Sequence, residues 1–410
     1  MKREKKEAGI TLIALVITVI VLLILAGVTI AALSGDNGIL TRAKDAKEKT
    51  EQAQKDEKQT LSDIESIIEK YNLTNVNSVD TNPAEAIPEN STVIEGDANK
   101  GIVIKDKNEN EWVWVEVPKT IVFADLTIDT TKELTEQNYN NIRDKLIEYA
   151  RVYRKGSEPQ SYNWIDEWYD GCGLTSDEYT ALYKKMLRSV YTYGGFWIGR
   201  YEAGIEGSID DVSKARTSHI TVTISSSPKA ISQKDAIPYN YVYCSEAQAL
   251  TKEMTPNNNY TSSLMFGIQW DLVCKFLEIK GKIAIVNINS DSSTWGNYKN
   301  VERTISSDKA KQGTSWTPII GTKAANSSIL LTTGASEEAN KMNIYDFAGN
   351  EWEWTLEHAI SSSSPCAGRG GNYDYFGSER PASYRNNGPI TYSDRFLSFR
   401  PSLYVNQNIF

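Results

Sequence analysis

Apolar and polar positions divide this chain into five regimes. Residues 1–9, MKREKKEAG, are polar and basic. Ile10 to Leu33, ITLIALVITVIVLLILAGVTIAAL, hold no charged side chain over 24 positions. At ~1.5 Å per residue such a helix is long enough to cross a bilayer. Lys2, Arg3, Lys5 and Lys6 ahead of it put the N-terminal end in the cytoplasm and the rest outside. A buried core helix would be shorter. A secretory signal peptide is the rival assignment, but its apolar region should be shorter and no clean small-residue cleavage site follows. After the breaker cluster SGDNG (Ser34 to Gly38), an Ala, Lys, Glu and Gln-rich stretch favours helix. Leu61, Ile64, Ile68 and Tyr71 recur at three- and four-residue steps and give it one apolar stripe. This predicts a helical stalk over 34–73, the alternative being a solvated helix lying on its own domain. Residues 74–98, with Pro83, Pro88 and many Asn and Ser, show no periodicity and read as a linker.

From residue 99 the pattern changes to that of a folded domain, predicted to run to 405. GIVIK and EWVWVEV flank a polar KDKNEN turn, which predicts a hairpin. TSDEYTALYKKMLRSV reads as a helix with Thr175 and Glu178 placed as a capping box. GGFWIGRYEAG reads as a strand with Gly kinks, and SSLMFGIQWDLVCKFLEIKG contains a helical apolar pattern through Trp270, Val273, Cys274 and Leu277. Beyond Ser290, short runs alternate with Asn, Ser and Gly clusters. The fold class is α+β, with few helices and much irregular loop.

Composition narrows the chemistry. The net charge of −9 over 410 residues argues against non-specific nucleic-acid binding, which needs a basic field. Cys172, Cys244, Cys274 and Cys366 form no CxxC pair. They are open to pairing if the chain is exported, or to service as small buried apolar groups. His219 and His358 are the only two histidines, and nothing around them has ligand spacing. The HExxH, GxGxxG-after-strand, GxxxxGK[ST] and GxSxG patterns are absent.

The stretch AGITLIALVITVIVLLILAGVTI resembles the N-terminus of type IV prepilins and pseudopilins. That resemblance implies cleavage by prepilin peptidase between Gly9 and Ile10, with Thr11 and Leu12 at the second and third mature positions. Ala14 stands at the fifth, where the family usually has a Glu that pairs with a neighbour's N-terminal amine during assembly. Its loss argues against polymerisation with other pilins and leaves membrane insertion unaffected. The resemblance covers about the first forty residues.

A second resemblance covers the C-terminal domain. NIYDFAGNEWEWTLE (Asn343 to Glu357), then Arg369-Gly370-Gly371-Asn372-Tyr373, Arg385 and Ser398-Phe399-Arg400 resemble the motifs of the sulfatase-modifying-factor, or formylglycine-generating-enzyme-like, family. Gly194 to Gly204 and Phe266 to Leu277 resemble weaker upstream motifs, and 119–175 reads as an insertion. The resemblance implies an elaborated C-type-lectin-like fold. It also implies a structural calcium ion held by Asp346, the carbonyls of Gly349 and Glu351, and the Glu353 side chain, the alternative being that Glu353 pairs with a buried Arg. The family's two reactive thiols fall on Tyr375 and Arg380, neither of which can replace a thiolate as copper(I) ligand, so formylglycine formation is not expected.

Read as residues, Trp352 and Trp354 are expected in the core, Gly349 in a turn closed to most residues, and Arg369 and Arg400 as ties between loops. Tyr373, Tyr375, Phe376, Ser378, Tyr384, Asn386, Asn387 and Tyr392 are interleaved with Gly and Pro. Tyr supplies contact area at low entropy cost and Ser and Asn supply adaptable hydrogen bonds, which is paratope chemistry. The alternative is that they merely build long loops. The expectation is a membrane-anchored, pilin-like surface protein displaying a non-enzymatic lectin-like domain that binds an extracellular protein, peptide or glycan. The rivals are a minor pilin or pseudopilin, a variable receptor of a diversity-generating retroelement, and an enzyme of the same fold with other chemistry.

Overall fold

The computed structural model describes residues 19–21, 44, 47–52, 54–55, 81–97, 100–154, 163–360 and 363–406. The Gly9–Ile10 junction and nearly all of the expected membrane span lie outside these residues. Among the described residues no helix is long and apolar enough to cross a membrane. The chain divides into two units, Met1–Glu69 and Lys70–Phe410. In the first, the described residues between 44 and 55 are helical, with ladder pairs Lys44–Glu48 and Lys47–Glu51.

The second unit is built on two sheets. Strands β1 (Thr92–Glu95), β2 (Val103–Lys105), β3 (Glu111–Glu116), β5 (Gly195–Gly199), β6 (Tyr260–Leu264) and β11 (Pro401–Val405) form an antiparallel sheet in the order β1-β2-β3-β5-β11-β6. Among the described residues, the last strand thus lies inside the sheet opened by the first. The second sheet has the order β9 (Arg385–Gly388), β8 (Cys366–Arg369), β7 (Trp352–Ala359), β10 (Leu397–Phe399), with β4 (Trp164–Ile165) paired to the far end of β7. The β7–β10 pair is parallel and the others are antiparallel.

Local sequence explains the elements. The predicted hairpin is β2–β3. Trp112 to Val115 are buried on both faces, as a central strand requires. Helix α1 (Glu136–Tyr149) lies in the insertion, between short helical turns at Lys119–Val122 and Arg151–Arg154. Helix α2 (Ser176–Tyr193) starts at the predicted capping box: Thr175 Oγ1 accepts from Glu178 N while the Glu178 carboxylate accepts from Thr175 N. It stops at Gly194, whose φ of 73° an L side chain rarely adopts. Helices α3 (Cys244–Lys252) and α4 (Gly267–Ile279) follow, α4 with apolar Trp270, Leu272, Val273, Phe276 and Leu277 all buried.

One boundary needs correction. The stretch read as a linker, 74–98, holds strand β1, and Thr81, Ala84, Ala86 and Val93 within it are buried. Two core indoles fix it there. Trp114 Nε1 donates to Thr81 Oγ1 at 3.0 Å and Trp197 Nε1 donates to the Ala86 carbonyl at 2.5 Å. A buried indole N–H needs an acceptor, and this segment supplies both.

Candidate functional site

Strands β7, β8 and β9 carry the motif residues, and their foundation is a buried ionic network. Arg369 donates to Asp271 Oδ1 and to Glu357 Oε2, each at 2.7 Å. Arg385 donates to Glu357 through Nε (3.0 Å to Oε1) and to Asp271 through Nη2 (2.9 Å). Arg154, from the insertion, reaches Glu357 at 2.9 Å and Asp166 at 3.0 Å. Three guanidinium groups face three carboxylates, so the network is formally neutral. Burial opposes ionisation of Glu357, but Arg385, Arg369 and Arg154 outweigh it and hold its pKa down to about 2. Burial pushes Asp166 up in spite of Arg154.

The turn between Asn343 and Asn350 is the second support. Gly349 has φ 73°, and a Cβ there would lie 2.4 Å from the Asn297 carbonyl oxygen. The expected closed turn is therefore present. Trp352 and Trp354 are buried, with Trp354 Nε1 donating to the Val242 carbonyl at 3.0 Å. Arg400 ties loops as anticipated, donating to the carbonyls of Gly199 (2.9 Å) and Tyr345 (2.8 Å) and to Glu353 (2.7 Å).

That last contact bears on the expected calcium ion. The Glu353 carboxylate accepts Nε and Nη2 of Arg400, Asp346 Oδ2 accepts Gly334 N at 2.7 Å, and Glu351 Oε1 accepts Asn240 Nδ2 at 3.0 Å. Among the described residues, no group of three or more His, Cys, Asp or Glu is placed to hold a metal ion. At Glu353 the alternative pairing is the one present: the Arg400 guanidinium holds both oxygens that Glu353 would offer a calcium ion. A carboxylate cluster remains. Burial raises the pKa values of Glu202, Asp346, Glu351 and Glu353, Asp346 to about 6.

Above this base lie the loops joining β8 to β9 and β9 to β10. Tyr375, Phe376, Ser378 and Tyr392 are exposed there, Tyr375 at 40%, Phe376 at 38% and Tyr392 at 39%. Asn386 and Asn387 are half-buried on β9. Tyr373 and Tyr384, expected on the surface, are buried instead. Their rings pack against Phe396 (centroids 5.2 Å) and Trp352 (5.8 Å) and fill the space beneath the loops. Tyr375, Phe376 and Ser378 share one loop and Tyr392 lies on the next. The Arg380 guanidinium lies 4.9 Å from the Tyr375 ring and 4.4 Å from the Tyr384 ring. Tyr375 also acts electrostatically on Tyr392, whose hydroxyl is pushed up to about 12 by burial and by Asp394. Among the described residues Arg380 makes no ion pair. A second guanidinium, Arg395, sits 4.6 Å over Phe396.

In the sequence Arg380 stands out only as a position that lacks a thiol, and its role as a stacked cation emerges from the structure. Arg380 lies five residues from Tyr375 and four from Tyr384, a spacing that could have suggested the sandwich. Asn240 to Val242 prop the second loop: Tyr241 N donates to the Asp394 carbonyl (3.1 Å) and Asn240 Nδ2 to that of Arg395 (3.3 Å).

No family model matches the chain, and no curated protein matches it. Among solved structures, it is similar to Treponema denticola variable protein 1, with 14% identity over 51% of this chain and 84% of that one and a TM-score of 0.30. It is likewise similar to CarF, with 12% identity over 52% of this chain and 87% of that one and a TM-score of 0.31.

Proposed function

We propose that this chain is a membrane-anchored, pilin-like surface protein whose C-type-lectin-like domain binds an extracellular protein, peptide or glycan without transforming it. The observation that carries the binding role is the exposure of Tyr375, Phe376 and Tyr392 on the two loops that follow β8 and β9, with Arg380 stacked on Tyr375. Large aromatics and Arg are the residue types that dominate recognition surfaces, because they offer wide contact area with few torsions to freeze. The lectin-like assignment is supported by the motif residues that build β7 to β9, and by a C-terminal strand enclosed in the N-terminal sheet. The non-enzymatic assignment is supported by the Tyr375–Arg380 stack at the positions where the resembled enzymes carry thiols. Anchoring is supported by the apolar run 10–33 and its basic leader.

The test is an array of proteins, peptides and glycans probed with residues 70–410. A hit that Tyr375→Ala and Tyr392→Ala each weaken at least tenfold, about 1.4 kcal/mol, supports the reading. A hit unaffected by both substitutions moves the binding site elsewhere. Turnover of any arrayed compound would replace the binder by an enzyme.

A further inference from the structure

Three of the four cysteines, scattered at 172, 244 and 366 in sequence, lie near Tyr169 in space. Cys172 lies in the insertion turn after Tyr169, Cys244 is the first residue of α3, and Cys366 is the first residue of β8. All three are fully buried, and all are free thiols. The Tyr169 hydroxyl lies 3.3 Å from Cys244 Sγ, and Cys244 Sγ also donates to the Thr355 carbonyl at 3.6 Å. Thr355 is paired in register with Ala367, the residue after Cys366, so Cys244 hangs over the start of β8. Cys366 is paired in register with His358, whose ring lies 5.0 Å from that of Tyr169, so Cys366 sits beside the same tyrosine that Cys244 contacts. Cys172 turns away, its thiol directed to the Leu174 carbonyl at 3.7 Å. Cys274 stands apart in α4, next to Arg369 and Asp271.

We infer that Cys244 and Cys366 are a disulfide-forming pair, which covalently joins the start of α3 to β8. Cys172 lies beside them as a spare thiol, and Cys274 takes no part. The reaction is thiol–disulfide exchange with an external disulfide, such as oxidised glutathione or a thiol oxidase of the dithiol–disulfide class. One cysteine attacks as thiolate and expels one thiol of the oxidant, giving a mixed disulfide. The second cysteine then attacks that bond and expels the other thiol. Two protein thiols are oxidised, one external disulfide is reduced to two thiols, and the two protons leave with them. Burial of both sulfurs means that exchange takes place while the chain is still open. The finished bond is then sealed from reductant.

The bond has a functional consequence through its neighbours. Asn240, Tyr241 and Val242, just ahead of Cys244, hold the loop bearing Tyr392 and the Trp354 indole. Fixing Cys244 to β8 fixes that prop.

The experiment uses the full-length chain, unfolded, refolded with a reduced and oxidised glutathione mixture, blocked with N-ethylmaleimide and digested without reductant. The expected result is one cross-linked peptide pair joining Cys244 to Cys366, with Cys172 and Cys274 alkylated. The oxidised protein should melt several degrees higher than the reduced one, and Cys274→Ser should keep that difference. Cys244→Ala and Cys366→Ala should each abolish it. Four alkylated thiols after oxidative refolding, or a link through Cys274, would overturn the assignment. A link from Cys172 to either partner would overturn the pairing. The wild-type peptide map tests the pairing by itself, even where a variant fails to fold.

Discussion

Two tyrosines and three other aromatics, written in one stretch of similar composition, end on opposite sides of a surface. Tyr373 and Tyr384 are buried against Phe396 and Trp352, whereas Tyr375, Phe376 and Tyr392 face solvent. Tyr373→Ala and Tyr384→Ala should therefore cost about 3–5 kcal/mol, the range for removing a core aromatic. Tyr375→Ala and Phe376→Ala should change stability by no more than about 1 kcal/mol, being exposed. Thermal melts of the four single variants check the split, and equal losses at all four would make the whole stretch scaffold. Composition could not make this distinction, because it reports that a residue is aromatic and not which way its loop turns. The arginines differ in this respect. Arg369 and Arg400 were legible as ties because Gly and aromatic neighbours leave a guanidinium few uses besides bridging. The Arg369 partner was not legible, since Arg369 and Asp271 are 98 positions apart, whereas a buried Arg on Glu353 was among the sequence alternatives.

At the scale of elements, what is local in sequence was readable and what is assembled was not. The β2–β3 hairpin, the α2 capping box and the α4 apolar pattern depend on contacts a few residues apart. Strand β1 escapes a pattern search because its four residues have no periodicity to show, and its place is set by indoles from β3 and β5. The buried network is assembled from five separate segments. Breaking it by Arg385→Met would leave carboxylate charge uncompensated in the interior, so a loss of about 3–5 kcal/mol is expected by denaturant titration. The carboxylates along β7 and its approach also predict a pH profile. An acid whose native pKa exceeds its unfolded value holds a proton in the native state between the two values, so stability falls as pH rises through that window. For Asp346 the window runs from its ordinary value of 3.8 up to about 6, and Glu202, Glu351 and Glu353 act with the same sign. Glu357 acts oppositely: its contribution is present above its ordinary 4.5 and is lost as pH falls through about 2. Calorimetric melts should show stability declining between about pH 4 and 6 and again in strong acid. Asp346→Asn should flatten the first slope, and an unchanged slope would remove Asp346 as its source.

For the whole molecule, the expectations concern processing and ions. If prepilin peptidase acts on this chain, the mature protein begins at Ile10, and N-terminal mass spectrometry of the native protein will read that residue. An intact Met1, or a cut beyond the apolar run, would exclude the pilin-like assignment. Because Arg400 holds Glu353, millimolar calcium should leave the melting temperature of residues 70–410 unchanged, and a rise reversed by chelator would show that the turn rearranges to bind it. The network of Arg154, Asp166, Asp271, Glu357, Arg369 and Arg385 bears one more consequence. It satisfies its charges internally and without help from the exposed loop side chains. If the proposed binding surface is the one used, recognition and folding fall to different residues, so new specificities can be selected at Tyr375, Phe376 and Tyr392 with little penalty in foldedness. A library randomised at those three positions should return mostly folded members, whereas one randomised at Arg369, Arg385 and Glu357 should return almost none.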